Sequence, residues 1–533
     1  MCLKKIIPYL FFISLALAFS NSSAQNISNE GTDFWTVFPT HDASGGSLAT
    51  MNVNITSKSN TRVTVSCGSY SETRDISANS IEIFEVDRSQ SYIDYSDGNQ
   101  PLTNRAIHIL VAPGMPKVVA YSHVFAANRS AATLILPKES LGQKYFSMNY
   151  TQSGGGTTGQ NYLTLIAVED NTDLILYRKN GNTLPINLAK AGDVYEYIST
   201  NKEDFTGVFV EVDQTKSLCK RFAAFSGSTT ITIGPCGGSS DPLLQQLYSV
   251  NSWGKNYGIV PFKNRRYIFR VMAQEDNTTV KVNGATIATL NRGQFYESQI
   301  SVDASIVNAD KLISVAQYSL TEACSSITGT QLQGDPEMVL LNPIEFNIKN
   351  ITVFASNRNL ILEKYVNVFM KSDKTGTFRL NGIMPGVFWT PMPQDPSYSF
   401  AQILVTEETL TLTADDGFNA IAYGYGRTES YAYSAGTNLY STSSISLVNL
   451  SSGLRSLSSA CLGQATNPTL TVPYRLTRIT WNFNDGTSFV DNALANPVES
   501  VDNVGAKLYT YTSPVNKVFA ATGTQIVTAI AVL

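Results

Sequence analysis

A chain of 533 residues with 43% hydrophobic and 15% charged side chains has the apolar surface for several packed domains, and lacks the composition of a disordered tail or mucin-like stalk. A formal net charge of −4 and a pI near 5.6 leave no basic face for phosphates, which argues against a nucleic-acid partner. Only His41, His108 and His123 are present, and they stand apart, so histidine-based metal and general-base constellations are thin.

The first residues read as an address. Lys4 and Lys5 precede an apolar stretch from Ile6 to Phe19 that is too short to span a membrane comfortably. Ser22 and Ala24 then supply small residues for cleavage before Gln25. This pattern predicts a secretory signal peptide over residues 1–24, cut between Ala24 and Gln25, with no transmembrane segment after it. Export permits disulfides. Cys67, Cys219, Cys236, Cys324 and Cys461 follow the cut, an odd number, so at least one stays unpaired within the chain. Cys219 and Cys236 flank one apolar strand pattern and are the expected bridge, with Cys324 the competitor for Cys236.

Beyond residue 25 the chain repeats itself about every 100 residues. Residues 51–66, 162–177, 267–282 and 365–380 each hold two alternating apolar runs, joined by polar turns at Asn60, Asp170, Asp276 and Asp373. Period-2 alternation predicts strands, and the turns predict hairpins. Tight-turn pairs follow at Cys67-Gly68, Asn180-Gly181, Asn283-Gly284 and Asn381-Gly382. Gly192, Gly293 and Gly386 then each precede an aromatic strand. A small-and-aromatic strand closes each copy, at 119–122, 223–226, 315–318 and 421–424.

About seven short strands per copy, and no long amphipathic helix, predict an all-β chain. Its four β-sandwich-like units are expected at 26–137, 138–248, 249–342 and 343–445. Ser-rich residues 446–469 predict a linker. Residues 470–533 form a separate unit around Trp481, Asp485 and Gly486.

Motifs in the four-fold region carry a family resemblance. They are Leu141-Gly142-Gln-Lys-Tyr145, Ala167-Val-Glu-Asp-Asn-Thr172, Asp204-Phe-Thr-Gly207, Phe225-Ser-Gly227, Gln245-Gln246, Ser252-Trp-Gly254, Ala273-Gln-Glu-Asp-Asn-Thr278 and Gly334-Asp-Pro-Glu-Met338, followed by 347–355. In that order they resemble the IgGFc-binding protein N-terminal domain family over about residues 30–430. Asp241-Pro-Leu-Leu-Gln-Gln246 departs from the family, which more often has His after that Asp. The last unit resembles a PKD domain, a small Ig-like sandwich of surface proteins, through Trp481-Asn-Phe-Asn-Asp-Gly486 and Tyr509-Thr-Tyr511. The resemblance implies a large secreted or surface-attached protein. Fc binding is a label from a distant relative, which no residue here independently shows.

Catalytic signatures are missing from the sequence: there is no Gly-x-Ser-x-Gly elbow, His-Glu-x-x-His pair or phosphate loop. Gly154-Gly155-Gly156 with Gly159 reads as a loop between strands. His41-Asp42 beside Ser44 invites a hydrolase reading, but a polar loop after the first strand accounts for it. His108 and His123 fall on alternating strands as sheet residues. Asp170 and Asp276, with Glu169 and Glu275, leave calcium open as a cofactor, although Asx-turn chemistry accounts for the same residues.

No catalytic residue, resident metal or other cofactor is assigned. The sequence reads as a secreted or cell-surface, non-catalytic binding or adhesion protein. It would recognise an extracellular glycan, matrix or surface protein through loops on rigid β modules. The alternatives are a structural spacer of a larger surface protein and a polysaccharide-acting enzyme using paired carboxylates.

Overall fold

The computed structural model describes residues 27–532 except 43–48, 127–128, 153–158, 201, 218–219, 238, 328–333, 358–359, 427–428, 440–443, 452–454, 457–461, 484, 502–506 and 521–526. The expected cleavage point at Ala24 and Gln25 lies outside the described residues, as do Ser44, the triple glycine, Cys219 and Cys461.

The chain is all-β, and one strand order recurs. In the first unit Ser130–Ile135, Val119–Phe125, Thr50–Thr56 and Ile81–Glu85 make one sheet, and Asp33–Thr36, Ile107–Val111, Thr61–Cys67 and Tyr70–Ile76 make the other. The second unit follows it strand for strand. Asp241–Gln246, Phe222–Ile231, Asn161–Ala167 and Val194–Ile198 pack on Lys144–Phe146, Phe209–Val212, Thr172–Tyr177 and Thr183–Leu188. In the third, one long strand, Ser305–Ser319, serves both layers. Its first part pairs with Gly254–Ile259 and Thr278–Val282, and its second with Tyr267–Ala273 and Met338–Leu340. Thr409–Tyr425 does the same in the fourth unit. Alternation drives the layering: Val63 and Val65, or Leu174 and Leu176, point into the core while their neighbours in sequence do not.

The polar turns at Asn60, Asp170 and Asp276 do not make hairpins. Thr50–Thr56 and Thr61–Cys67 lie in opposite sheets, as do Asn161–Ala167 and Thr172–Tyr177, and Tyr267–Ala273 is not bonded to Thr278–Val282. Both runs of each pair bury a face in the same core, so the turn carries the chain across the sandwich. Asn171 and Asn277 take left-handed φ of 55° and 56°. Thr172 and Thr278 Oγ1 each donate to a carbonyl three residues back, Glu169 and Glu275, at 2.7 Å. The true hairpins come next, closing across Gly68, Gly181 and Gly284, all with positive φ.

The second and third units are pinned alike at their openings. Tyr145 Oη accepts from Gly142 N at 2.8 Å and donates to Phe222 O at 2.9 Å. Tyr257 Oη does the same with Gly254 N and Ile313 O, at 3.1 and 2.7 Å. A Cβ added to Gly254 would sit 2.2 Å from Pro343 Cβ, and one on Gly142 2.4 Å from Ser249 Cβ. These glycines answer to close packing.

The fourth unit breaks the pattern. Its counterpart of Thr183–Leu188 is absent: Arg379–Leu380 is followed by residues without strand structure up to Thr390. Gly386 therefore opens no aromatic strand. The strand that pairs with Glu363–Lys371 is Asp395–Leu404.

The four units close on themselves. Ile27–Ser28 pairs with Asn438–Leu439, bringing the start of the first unit to the end of the fourth. The four closing strands, Ser130–Ile135, Asp241–Gln246, Met338–Leu340 and Ser430–Gly436, pack against one another at the centre.

Ser444–Asn449 pairs with Ala465–Val472, so the stretch expected as a linker over 446–469 contributes strands to the last unit instead. Small Ser and Thr side chains suit this sheet as well as a linker, and Ser446 Oγ bonds Thr469 Oγ1. That sheet faces a second one made of Ser488–Asp491, Arg478–Asn482 and Thr528–Val532, around a core of Trp481, Ile479, Phe483 and Leu470.

Candidate functional site

Part of the motif residues, Gln245, Gln246, Asp335 and Glu337 among them, converge on the seam at the centre of the four units. At the centre, Gln245 Nε2 donates to Ala132 O of the first unit at 3.0 Å and Ala432 O of the fourth at 3.3 Å. Gln246 Oε1 accepts from Leu136 N at 2.7 Å. Ser130 Oγ donates to Ser430 O at 2.6 Å, and Ser130 N to Asp241 Oδ1 at 3.2 Å. Asp335 N donates to Ser430 Oγ at 3.1 Å, and Ser239 Oγ bonds Asp335 Oδ1. Glu337 N donates to Ser319 Oγ at 2.9 Å.

Asp241, Asp335, Glu337 and Glu429 thus lie at or beside the closing strands of three units, each at most 1% exposed. Burial pushes the carboxyls of Asp335 and Glu429 up to about 8 and holds those of Asp241 and Glu337 well above the carboxylate range. Among the described residues, no group of three or more His, Cys, Asp and Glu has the arrangement of a metal site.

The seam between the second and third units is ionic. Arg270 lies 2.8 Å from both Asp204 and Glu297, and donates to Asn149 O and to the hydroxyls of Thr206 and Thr151. Its guanidinium sits 4.4 Å above the Tyr150 ring and 4.3 Å from that of Phe295. Glu196 ties the first unit to the second. It accepts from Thr40 N at 3.3 Å, from Thr40 Oγ1 at 2.5 Å and from Thr164 Oγ1 at 2.8 Å, and burial raises it to about 7.

The residues singled out in the sequence stand apart. Cys236 is bridged to Cys324, with Cα atoms 5.7 Å apart across 88 residues, and is not available to Cys219. The physical reason is the end of the second unit's long strand. Ile233 N donates to Thr321 Oγ1 and Ile233 O accepts from Thr321 N, which docks residues 233–236 on the short helix Glu322–Ser325. Cys67 is free and buried.

His41 Nδ1 bonds Pro39 O at 2.8 Å, while Asp42 accepts from Tyr95 Oη at 2.5 Å, so neighbours in sequence serve different partners. His108 stacks on Trp35 and bonds Asp33 at 2.8 Å. His123 is buried against Tyr431. Asp170 holds Ala191 N and Lys190 Nζ, and Asp276 holds Arg292 N. In the last unit Trp481 is fully buried, Asp485 binds Thr487 N and Lys517 Nζ, and Gly486 has φ of 82°.

Among the described residues, the 381–389 loop brings three strongly exposed apolar side chains within six positions. Phe388 is 83% exposed, Ile383 72% and Met384 55%, all in the 381–389 loop where the fourth unit lacks its strand. Val387 and Trp389 anchor the loop to the core beneath, Trp389 meeting Phe378 edge-on at 5.6 Å. Single exposed apolar residues are ordinary, whereas three in six positions on an anchored loop are not.

Four sandwich-like units joined by buried polar seams define a class of repeat-built β proteins whose motifs serve assembly. A profile of the IgGFc binding protein family matches residues 131–424, from the closing strand of the first unit into the fourth. The chain belongs to the IgGFc binding protein family. No curated protein matches it. Among the described residues no helix is long and apolar enough to cross a membrane.

Proposed function

We propose that this is an exported, non-catalytic binding protein that grips an extracellular protein ligand through the 381–389 loop of its fourth unit. The observation that carries this reading is that loop: Ile383, Met384 and Phe388 present apolar surface on a rigid base. Of the polar motif residues that a catalytic reading would draw on, Asp335, Glu337, Gln245 and Gln246 are buried in the central seam. Family membership supports a binding role, and the apolar loop favours binding over a plain spacer, whose loops would be uniformly polar. The last unit, with its buried Trp481 and the Asp485-Gly486 turn, reads as a PKD-like module that holds the binding region away from its attachment. A signal peptide cut after Ala24 accounts for export.

The test is an array of extracellular proteins, IgG Fc among them, and glycans, probed with the mature chain and with the Ile383→Ser, Phe388→Ser double variant. A protein ligand whose binding the variant weakens about tenfold or more supports the reading. A wild-type chain that binds only glycans, or a ligand held equally by the variant, contradicts it.

A further inference from the structure

At the central seam the buried polar atoms left without a partner include one amide donor, Gln246 Nε2, and a larger set of carboxyl oxygens. Asp241 Oδ2, Asp335 Oδ2 and both carboxyl oxygens of Glu337 and of Glu429 are buried without a hydrogen-bond partner. Tyr425 Oη, in the field of Glu337, is buried and unpartnered too. An ionised carboxylate only accepts, so four ionised groups here add negative charge and no donor. A neutral carboxyl supplies an O–H. The charges that face the cluster do not balance it. Glu322 adds a further negative field at Asp335, and Arg129 of the first unit opposes it there while its guanidinium donates to Asp42 O and Ser240 Oγ. Arg265 lies over the Tyr425 ring at 4.4 Å. The Met338 amide and the Ser130 hydroxyl favour the charged forms of Glu337 and Glu429, and burial outweighs both.

We propose that protons close the ring of units: Asp241, Asp335, Glu337 and Glu429 are held as neutral acids that donate across the central seam, so the four-unit assembly tightens in acid and loosens as the medium turns alkaline. The sign follows from linkage. Unfolded Asp and Glu titrate near 4, whereas folded Asp335 and Glu429 keep their protons to about 8. Between those values the folded chain carries more protons, so its stability falls as pH rises and levels off above the folded values. Each proton so retained makes the unfolding constant rise about tenfold per pH unit.

The experiment is denaturant unfolding of the purified mature chain from pH 6.5 to 9, beside the Glu337→Gln, Glu429→Gln double variant. Glu196 titrates at another seam with the same sign, so the difference between the two proteins is read. The wild type should lose stability across this range. The isosteres, which fix the neutral form, should remove about tenfold or more per pH unit of that loss. Should the double variant fail to fold, the infrared carbonyl band of neutral carboxylic acids in the wild type decides: present at pH 6.5 and fading by pH 9 supports the proposal, absent at pH 6.5 overturns it. Parallel pH dependences of the two proteins overturn it. So does a wild type whose alkaline loss is abolished by millimolar Ca²⁺ and restored by a chelator, because a cation would then be the counter-charge.

Discussion

The second and fourth units share a strand order and treat one edge in opposite ways. In the second, Thr183–Leu188 completes the sheet and buries Ile186 and Leu188. In the fourth that strand is missing, and Ile383, Met384 and Phe388 face solvent in its place. Both units still send their closing strands to the centre, where the Gln245 side chain reaches the backbone of Ala432. The difference separates two jobs. Residues that recur from unit to unit, such as Tyr145 and Tyr257, shape each sandwich; residues that occur once, such as Gln245 and Arg270, join the units; and the place where the repeat lapses is where surface is left for another molecule.

That division can be broken at the seam first. Arg270→Ala removes a buried cation and strands Asp204 beside it, so unfolding should become easier by about 3–5 kcal/mol in urea titrations. A loss under 1 kcal/mol would mean that the second and third units are not joined there. Cys324→Ser opens a link that spans the second and third units, and the free energy of unfolding in oxidising buffer should drop by about 2–4 kcal/mol. Peptide mapping should recover Cys236 joined to Cys324.

Acid probes the first unit. Burial lowers His41 and His123 to about 4, so between there and the unfolded value near 6.5 these two imidazoles bind more protons in the unfolded chain, and their contribution to stability falls as pH drops, opposing that of the buried carboxyls. His123→Asn removes one of these opposing groups, so between about pH 6.5 and 4.5 the unfolding constant of the variant relative to the wild type should fall by about tenfold per pH unit of acidification. The smallest effect belongs to the loop. Phe388→Ser should shift stability by less than about 0.5 kcal/mol while weakening ligand capture, because its ring touches solvent more than core.

Much of this plan was legible in the residues. Alternating runs and the recurrence of Asn-Gly and Gly-aromatic punctuation carried the all-β class and the four-fold repeat. Periodicity cannot say which sheet a strand joins, so the Asp170 and Asp276 turns read as hairpins when they are corners between layers. Nearness in sequence points to Cys219 as the partner of Cys236, whereas Cys324 is brought there by Thr321 across a seam. Asp241, Asp335 and Glu337 stood inside family-like segments, yet nothing in their spacing announces that they meet one another and Glu429. The exposed loop hid behind a false analogy, since Gly386-Val-Phe-Trp389 resembles the strand starts at Gly192 and Gly293 without forming one.

Native-state hydrogen exchange on the intact chain tests the joined ring most directly. The amides of Ser130–Ile135, Asp241–Gln246, Met338–Leu340 and Ser430–Gly436 should open together with one free energy and one denaturant dependence, and Arg270→Ala should lower all four. Four closing strands that open independently, each with its own unit, would contradict the claim that the family motifs bind the units into one structure.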